Sequence, residues 1–137
     1  MPAIVIDASV AVKWQVREIL TEQARTLLMT DEPLIAPDWL LVEAASTYWK
    51  KVRRSELLEI HALRHLEDLP LFFTELHPSH ELIDAAMKWS FRLRHSVYDC
   101  LYLALAERER ASLITADKKF FEVVEEGALF DRIRLLS

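Results

Sequence analysis

The sequence predicts an α/β fold in which a central parallel β-sheet is covered on both faces by helices. Three observations carry this. Short apolar, β-branched runs alternate along the chain with longer segments of helical period, the pattern of strands joined by crossover helices. Two of these strands end at an aspartate, where sheets of this type place their ligand sites. The 137 residues are 52% apolar and 28% charged, enough for one domain over 1–137 with a substantial core.

The elements follow in order. Ala3 to Ile6 is a buried strand ending at Asp7. Ser9 to Trp14 turns into a first helix, and Thr21 to Met29 continues helically with Ala24, Leu27 and Leu28 apolar. Leu34 to Ala36, between Pro33 and Pro37, is a second strand. Asp38 caps a strong helix running to about Arg53, and Ser55 caps another with Glu56 and Glu59 in its first turn. Leu71 to Leu76 reads as a strand. Ser79 to Arg94 reads as a helix with Leu82, Ile83, Ala86, Met87 and Phe91 inward. Val97 to Glu109 is an almost wholly apolar helix, hence central. Ser112 to Thr115 is a strand, Asp117 caps a helix through Glu126, and Leu129 to Leu135 is the last strand. There is no internal repeat, low-complexity tract or linker.

Composition excludes several classes of function. Gly127 is the only glycine, so a Walker loop, a dinucleotide-binding fingerprint and a serine-hydrolase elbow are ruled out. Cys100 is the only cysteine, which excludes an intrachain disulfide and a cysteine zinc cage and suits a reducing cytoplasm. The N-terminus lacks the basic start of a signal peptide, and no apolar run approaches the ~18–20 residues that span a membrane. The net charge of −5, taken globally, argues against a nucleic-acid partner.

The placement of the acids changes that conclusion. Most lie on polar helix faces, but Asp7 and Asp117 follow apolar strands, and Glu43 and Asp99 interrupt apolar helices. Taken singly, Asp7, Asp99 and Asp117 fit N-caps, whereas Glu43 lies inside its helix. Jointly, two strand ends fix two carboxylates in the switch-point crevice, and two helices can bring the others. Carboxylates ~5 Å apart repel by about 3 kcal/mol per pair at an effective dielectric of ~20. A divalent cation removes that repulsion, and an all-oxygen donor set favours Mg²⁺ or Mn²⁺ over zinc. Such an ion activates water and clamps a phosphodiester.

Assigning these four acids to an ion leaves a net charge of −1 over the remaining chain. Basic residues then cluster at two helix ends, Lys50, Lys51, Arg53 and Arg54, and Lys88, Arg92, Arg94 and His95. Lys50, Arg53, Arg92 and Arg94 are candidate phosphate contacts, although a dipole interaction at the helix C-terminus explains them equally. Trp14, Trp49 and Trp89 are candidate interface aromatics, with core packing the simpler reading. His61 and His65 share a helix face but lack a zincin glutamate. His95 and Ser96 lack the glycine-bearing turn of a hydrolase nucleophile.

These residues resemble a known family, the PIN-domain ribonucleases, and within it the VapC-type toxins of toxin–antitoxin pairs. The resemblance runs from Ile4 to about Leu135. Its carriers are Ile4-Val5-Ile6-Asp7-Ala8-Ser9 with Lys13-Trp14, Ala36-Pro37 followed by Glu43, Tyr98-Asp99 with Leu101-Tyr102-Leu103-Ala104, and Thr115-Ala116-Asp117. It implies a three-layer α/β/α fold. It implies Asp7, Glu43, Asp99 and Asp117 as a catalytic, metal-binding quartet supported by the hydroxyls of Ser9 and Thr115. The implied activity is Mg²⁺-dependent endonucleolytic cleavage of RNA, with Mn²⁺ substituting, leaving a 5′-phosphate and a 3′-hydroxyl. The implied partners are a small VapB-like antitoxin and a second copy of the chain, a homodimer. Ser46 stands where many relatives have asparagine, and Lys119 where some have a further acid, which favours one firmly bound ion. Two rivals stay open. One is a PIN-like module without catalysis. The other is an aspartyl-phosphate phosphotransferase on Asp7, which would want a second aspartate where Ser9 stands.

Overall fold

The computed structural model describes residues 2–127 and 131–137. Five parallel strands form one sheet: β1 (Ile4–Ile6), β2 (Leu34–Pro37), β3 (Glu75–His77), β4 (Ser112–Thr115) and β5 (Ile133–Leu135), in the order β3-β2-β1-β4-β5. In register, β1 pairs Ile4 with Leu34 on one side and with Ser112 on the other. Strand order therefore reverses at β1, and the switch point lies between the carboxyl ends of β1 and β4. Helices on both faces complete three layers. They are α1 (Ala8–Gln15), α2 (Thr21–Thr26), α3 (Trp39–Arg53), α4 (Glu59–Asp68), α5 (Ile83–Leu93), α6 (Val97–Glu109) and α7 (Lys118–Gly127). None among the described residues is long and apolar enough to cross a membrane.

Helix α6 is the centre of the molecule, as its composition required. Cys100 to Ala106 are all buried, and α6 packs on β1, β2 and β4 with α5 outside it. Its N-cap is Ser96, whose hydroxyl accepts the Tyr98 N–H, so Asp99 is not the cap that its position allowed. Asp7 does cap α1, accepting the Val10 N–H, and Asp117 accepts the Phe120 N–H at the start of α7.

Several elements differ from the sequence expectations. Asp38 stands at the cap position of α3 without capping it: its carboxylate accepts the Ser79 N–H, and the Ser79 hydroxyl accepts the Trp39 N–H. Ser55 caps nothing. It takes a left-handed conformation that closes α3, and α4 begins only at Glu59. The run 71–76 is not one strand, because Pro70 starts a 3-10 turn over Leu69–Phe72 and β3 begins at Glu75. Pro78 likewise precedes a 3-10 turn, Ser79–Glu81, that delays α5 to Ile83. The buried stripe of that region is Leu82, Ala86 and Trp89, spaced at i, i+4 and i+7. Ile83, Met87 and Phe91 form the adjacent stripe and are exposed. The last strand is confined to Ile133–Leu135, and Leu129 lies outside the described residues.

Candidate metal centre

The first and fourth strands deliver two acids to the switch point. Asp7 follows β1 directly, and its backbone N–H continues the ladder to Ile114 of β4. Asp117 follows β4 by two residues. The other two come from helices that cross above: Glu43 from the second turn of α3 and Asp99 from the first turn of α6. All four line one open cleft of about 680 Å³, together with Ser9, Lys13, Glu18, Trp39, Ser46, Lys50, Tyr98 and Tyr102 among others.

The four carboxylates are not equivalent. Asp7 is only 5% exposed. Burial raises its carboxyl from 3.8 to about 7, opposed by the Ser9 and Thr115 hydroxyls and reinforced by the charges of Asp99 and Glu43. The Ser9 hydroxyl donates to Asp7 Oδ1 at 2.5 Å and accepts the Ala116 N–H, tying the ends of β1 and β4 together. The Thr115 hydroxyl accepts the Asp117 N–H at 3.0 Å. The Ser9 hydroxyl thus bonds the Asp7 carboxylate, and the Thr115 hydroxyl the Asp117 backbone.

Glu43 and Asp99 are half-buried, and desolvation raises both. Glu43 accepts the Tyr102 hydroxyl at 2.6 Å, which moderates the rise. Asp99 Oδ2 lies 2.7 Å from His95 Nε2, and that ring stacks on Phe120. Asp117 sits at the exposed rim, so the apolar run before it did not bury it. Each acid thus has its own hydrogen-bond partner. Among the described residues no three His, Cys, Asp or Glu side chains already converge around one point as a finished metal cage would. The donor set is nonetheless all oxygen, the kind that suits a hard divalent cation.

The structure sorts the remaining candidates. Lys50 lines the cleft. The Arg53 guanidinium lies over Trp49, and Arg92 lies over Trp89 in a separate cavity of about 220 Å³. Arg94 ends α5 in a left-handed conformation; neither Arg92 nor Arg94 lines the acidic cleft. Trp14 is core, its indole N–H donating to the Ala24 carbonyl and its ring against Phe72 and Phe73. Trp89 is buried with its N–H on Glu107, and Trp49 is exposed. Cys100 is buried and its thiol is pushed up to about 12, chiefly by that burial.

Sequence reasoning missed four participants. Tyr102 lies three residues after Asp99, a spacing that puts both on one helix face. His95 lies four before Asp99 but ahead of the α6 N-cap, so no helical spacing marked it. Trp39 lies four before Glu43. Glu18 had no such signal. It holds two lysines, Lys13 at 3.3 Å and Lys51 at 2.7 Å, in the wall of the cleft.

Known proteins resemble the chain across most of its length. The family model described as "PIN domain" matches residues 4–126. Ribonuclease VapC3 of Pyrobaculum aerophilum is 34% identical over 121 residues, which are 87% of this chain and 92% of that protein. Among solved structures, PAE2754 of Pyrobaculum aerophilum aligns with a TM-score of 0.64 at 21% identity, covering 88% of this chain and 78% of that one. The Mycobacterium tuberculosis toxin VapC20, described as cleaving the sarcin–ricin loop, aligns with a TM-score of 0.65 at 18% identity, covering 86% and 92%. The two structures share the fold.

Proposed function

The chain belongs to the PIN domain family, and on that premise we propose that it is a Mg²⁺-dependent endoribonuclease, the toxin of a VapBC-type pair. The observation that carries this reading is the meeting of Asp7, Glu43, Asp99 and Asp117 in one cleft at the sheet's switch point. The family relation and the names of the relatives support the ribonuclease assignment.

In this reading the four carboxylates would hold the ion, Asp7 from a buried position and Glu43 and Asp99 from half-buried ones. Mg²⁺, or Mn²⁺ in its place, would supply polarisation of the scissile phosphate and a lowered pKa for an attacking water. The residues of the chain do the rest. Ser9 holds Asp7 in its orientation, and Thr115 fixes the backbone turn that presents Asp117. Tyr102 keeps Glu43 hydrogen-bonded and aimed. His95 does the same for Asp99. Lys50 stands in the same cleft and offers a cation to the RNA backbone, whereas Arg53, Arg92 and Arg94 would reach RNA only along its flanks.

The partners follow from the same reading: RNA as substrate, a VapB-like antitoxin that silences the enzyme in the cytoplasm, and a homodimer. Exposed Val42 and Trp49 on α3 and Ile60 and Leu63 on α4 supply apolar surface for such contacts. The test is cleavage of end-labelled structured RNAs by the antitoxin-free protein with Mg²⁺, Mn²⁺ or EDTA, beside Asp99→Asn. Discrete cuts that need both metal and Asp99 are expected. Cuts that persist in EDTA or in the variant would overturn the assignment.

A further inference from the structure

The rim of the cleft carries an aromatic pair that the acid chemistry does not use. Trp39 opens α3 and Tyr98 lies in the first turn of α6. Their rings stack with centroids 5.1 Å apart and planes 12° from parallel. Both line the acidic cleft. Each is tied to one of the acids: Trp39 lies one turn before Glu43 on α3, and Tyr98 immediately precedes Asp99.

Both backbones are pinned. The Trp39 N–H donates to the Ser79 hydroxyl at 2.9 Å, and the Tyr98 N–H to Ser96 at 3.1 Å. The pair is therefore presented by two helix starts. Tyr98 is nonetheless 53% exposed. The indole N–H of Trp39 is buried and makes no hydrogen bond among the described residues; what the pair presents to the cleft is ring surface. A rigid, half-open aromatic surface beside carboxylates suited to a metal has a chemical counterpart: the π-face of a nucleobase. Only an unpaired base offers that face, because pairing and stacking inside a helix cover it.

We propose that the Trp39–Tyr98 stack is a platform for one unpaired base of the RNA next to the cleaved phosphodiester. The pair acts as a positioning device, fixing the nucleotide so that its phosphate lies over the acids. This inference rests on the ribonuclease reading and adds to it the residues that seat the base. It also accounts for the openness of the cleft at Tyr98, which a purely structural aromatic pair would not need.

The test uses the full chain, Mg²⁺ and an RNA that the wild-type protein cuts, with a second set of RNAs abasic at each nucleotide flanking the cut. Loss of one base–aromatic stack corresponds to roughly fivefold to over a hundredfold. Tyr98→Ala should lower kcat/KM by that order, mainly through KM, and Tyr98→Phe should stay within about twofold of wild type, since the ring and not the hydroxyl is used. One abasic RNA should cost wild type as much as Tyr98→Ala does, and variant and abasic RNA together should cost no more than either alone. Trp39→Leu should behave like Tyr98→Ala. As a readout independent of cleavage, 2-aminopurine at the sensitive nucleotide should change its fluorescence on binding in Ca²⁺, and Tyr98→Ala should abolish that change. Circular dichroism melts establish that each variant is folded. Multiplying effects of variant and abasic RNA, or equal defects in Tyr98→Phe and Tyr98→Ala, would overturn the platform while leaving the nuclease standing. Failure of wild type to cut any RNA would remove the nuclease reading and the platform with it.

Discussion

Replacing Asp7 by asparagine should make the metal-free protein more stable at neutral and alkaline pH, and should flatten its pH dependence. The carboxyl is buried at the switch point, and its value is raised from 3.8 to about 7. The folded state therefore binds the proton more tightly than the unfolded chain. Stability from this group is fully present below the unfolded value, declines as pH rises, and is lost once pH passes about 7. The displacement corresponds to about 4 kcal/mol at the alkaline plateau. Asparagine keeps the oxygen that accepts from Ser9 and Val10 and removes the charge. Urea denaturation in EDTA at pH 5 and pH 8 measures the effect. Wild type should lose stability between the two pH values, and the variant should lose much less and exceed wild type at pH 8. Added Mg²⁺ should stabilise wild type and not the variant. A variant less stable than wild type at pH 8, with an undiminished pH slope, would refute the account of a desolvated carboxylate.

Three further outcomes follow from other contacts. Tyr102→Phe removes the hydrogen bond that restrains the rise of Glu43, so the acidic limb of the pH–rate profile for RNA cleavage should move to higher pH; an unmoved limb would show that Glu43 does not depend on Tyr102. Glu18→Gln strips Lys13 and Lys51 of their shared carboxylate and should destabilise by about 1–3 kcal/mol at pH 7. Burial pushes the Glu18 carboxyl up, but the two lysines outweigh it and hold the group below its ordinary value, so its contribution is lost as pH falls through the folded value, and the gap between variant and wild type in chemical denaturation should close in acid. Arg110 ends α6 in a left-handed conformation, φ 51°, where glycine is free of the Cβ strain. Arg110→Gly should stabilise by up to about 1 kcal/mol, read as a higher denaturation midpoint with an unchanged slope.

The fold was legible wherever one local rule decided the outcome. Continuous apolar runs located β1, β2 and β4, and the apolar sweep from Cys100 to Ala106 identified the central helix. The acids were legible because each stood at odds with its neighbours. What escaped was decided by tertiary partners. Ser79 outcompeted Asp38 for the α3 N-terminus across about forty residues of chain, a contact with no sequence period. Around α5, both the stripe at 82, 86 and 89 and the stripe at 83, 87 and 91 are apolar, and packing on α6 and α7 selects which one is buried. Glu18 read as an ordinary surface acid because its lysines arrive from α1 and α3. Asp7 and Asp117 both follow apolar strands, yet Asp7, directly after β1, is buried, and Asp117, two residues beyond β4, is exposed.

The spread of burial within the quartet makes a sharper claim than the presence of four acids does. Neutralising a carboxylate relieves desolvation and repulsion in proportion to how far the fold has removed it from water. Asp7 is buried, Glu43 and Asp99 are half-buried with neutral or histidine partners, and Asp117 is exposed. The gain in metal-free stability on substitution to the amide should therefore fall in the order Asp7, then Glu43 and Asp99, then Asp117. Each substitution should nevertheless abolish or cripple cleavage, since the ion needs the charges that the fold resists. Stability and activity would then move in opposite directions by amounts set by burial, the pattern of a site kept for function against the preference of the fold. Four substitutions that destabilise equally would point instead to ordinary capping and packing roles. A stabilised Asp7→Asn that still cuts RNA would separate the buried charge from the chemistry. Thermal melts in EDTA and cleavage assays in Mg²⁺ on the same four proteins decide among these outcomes.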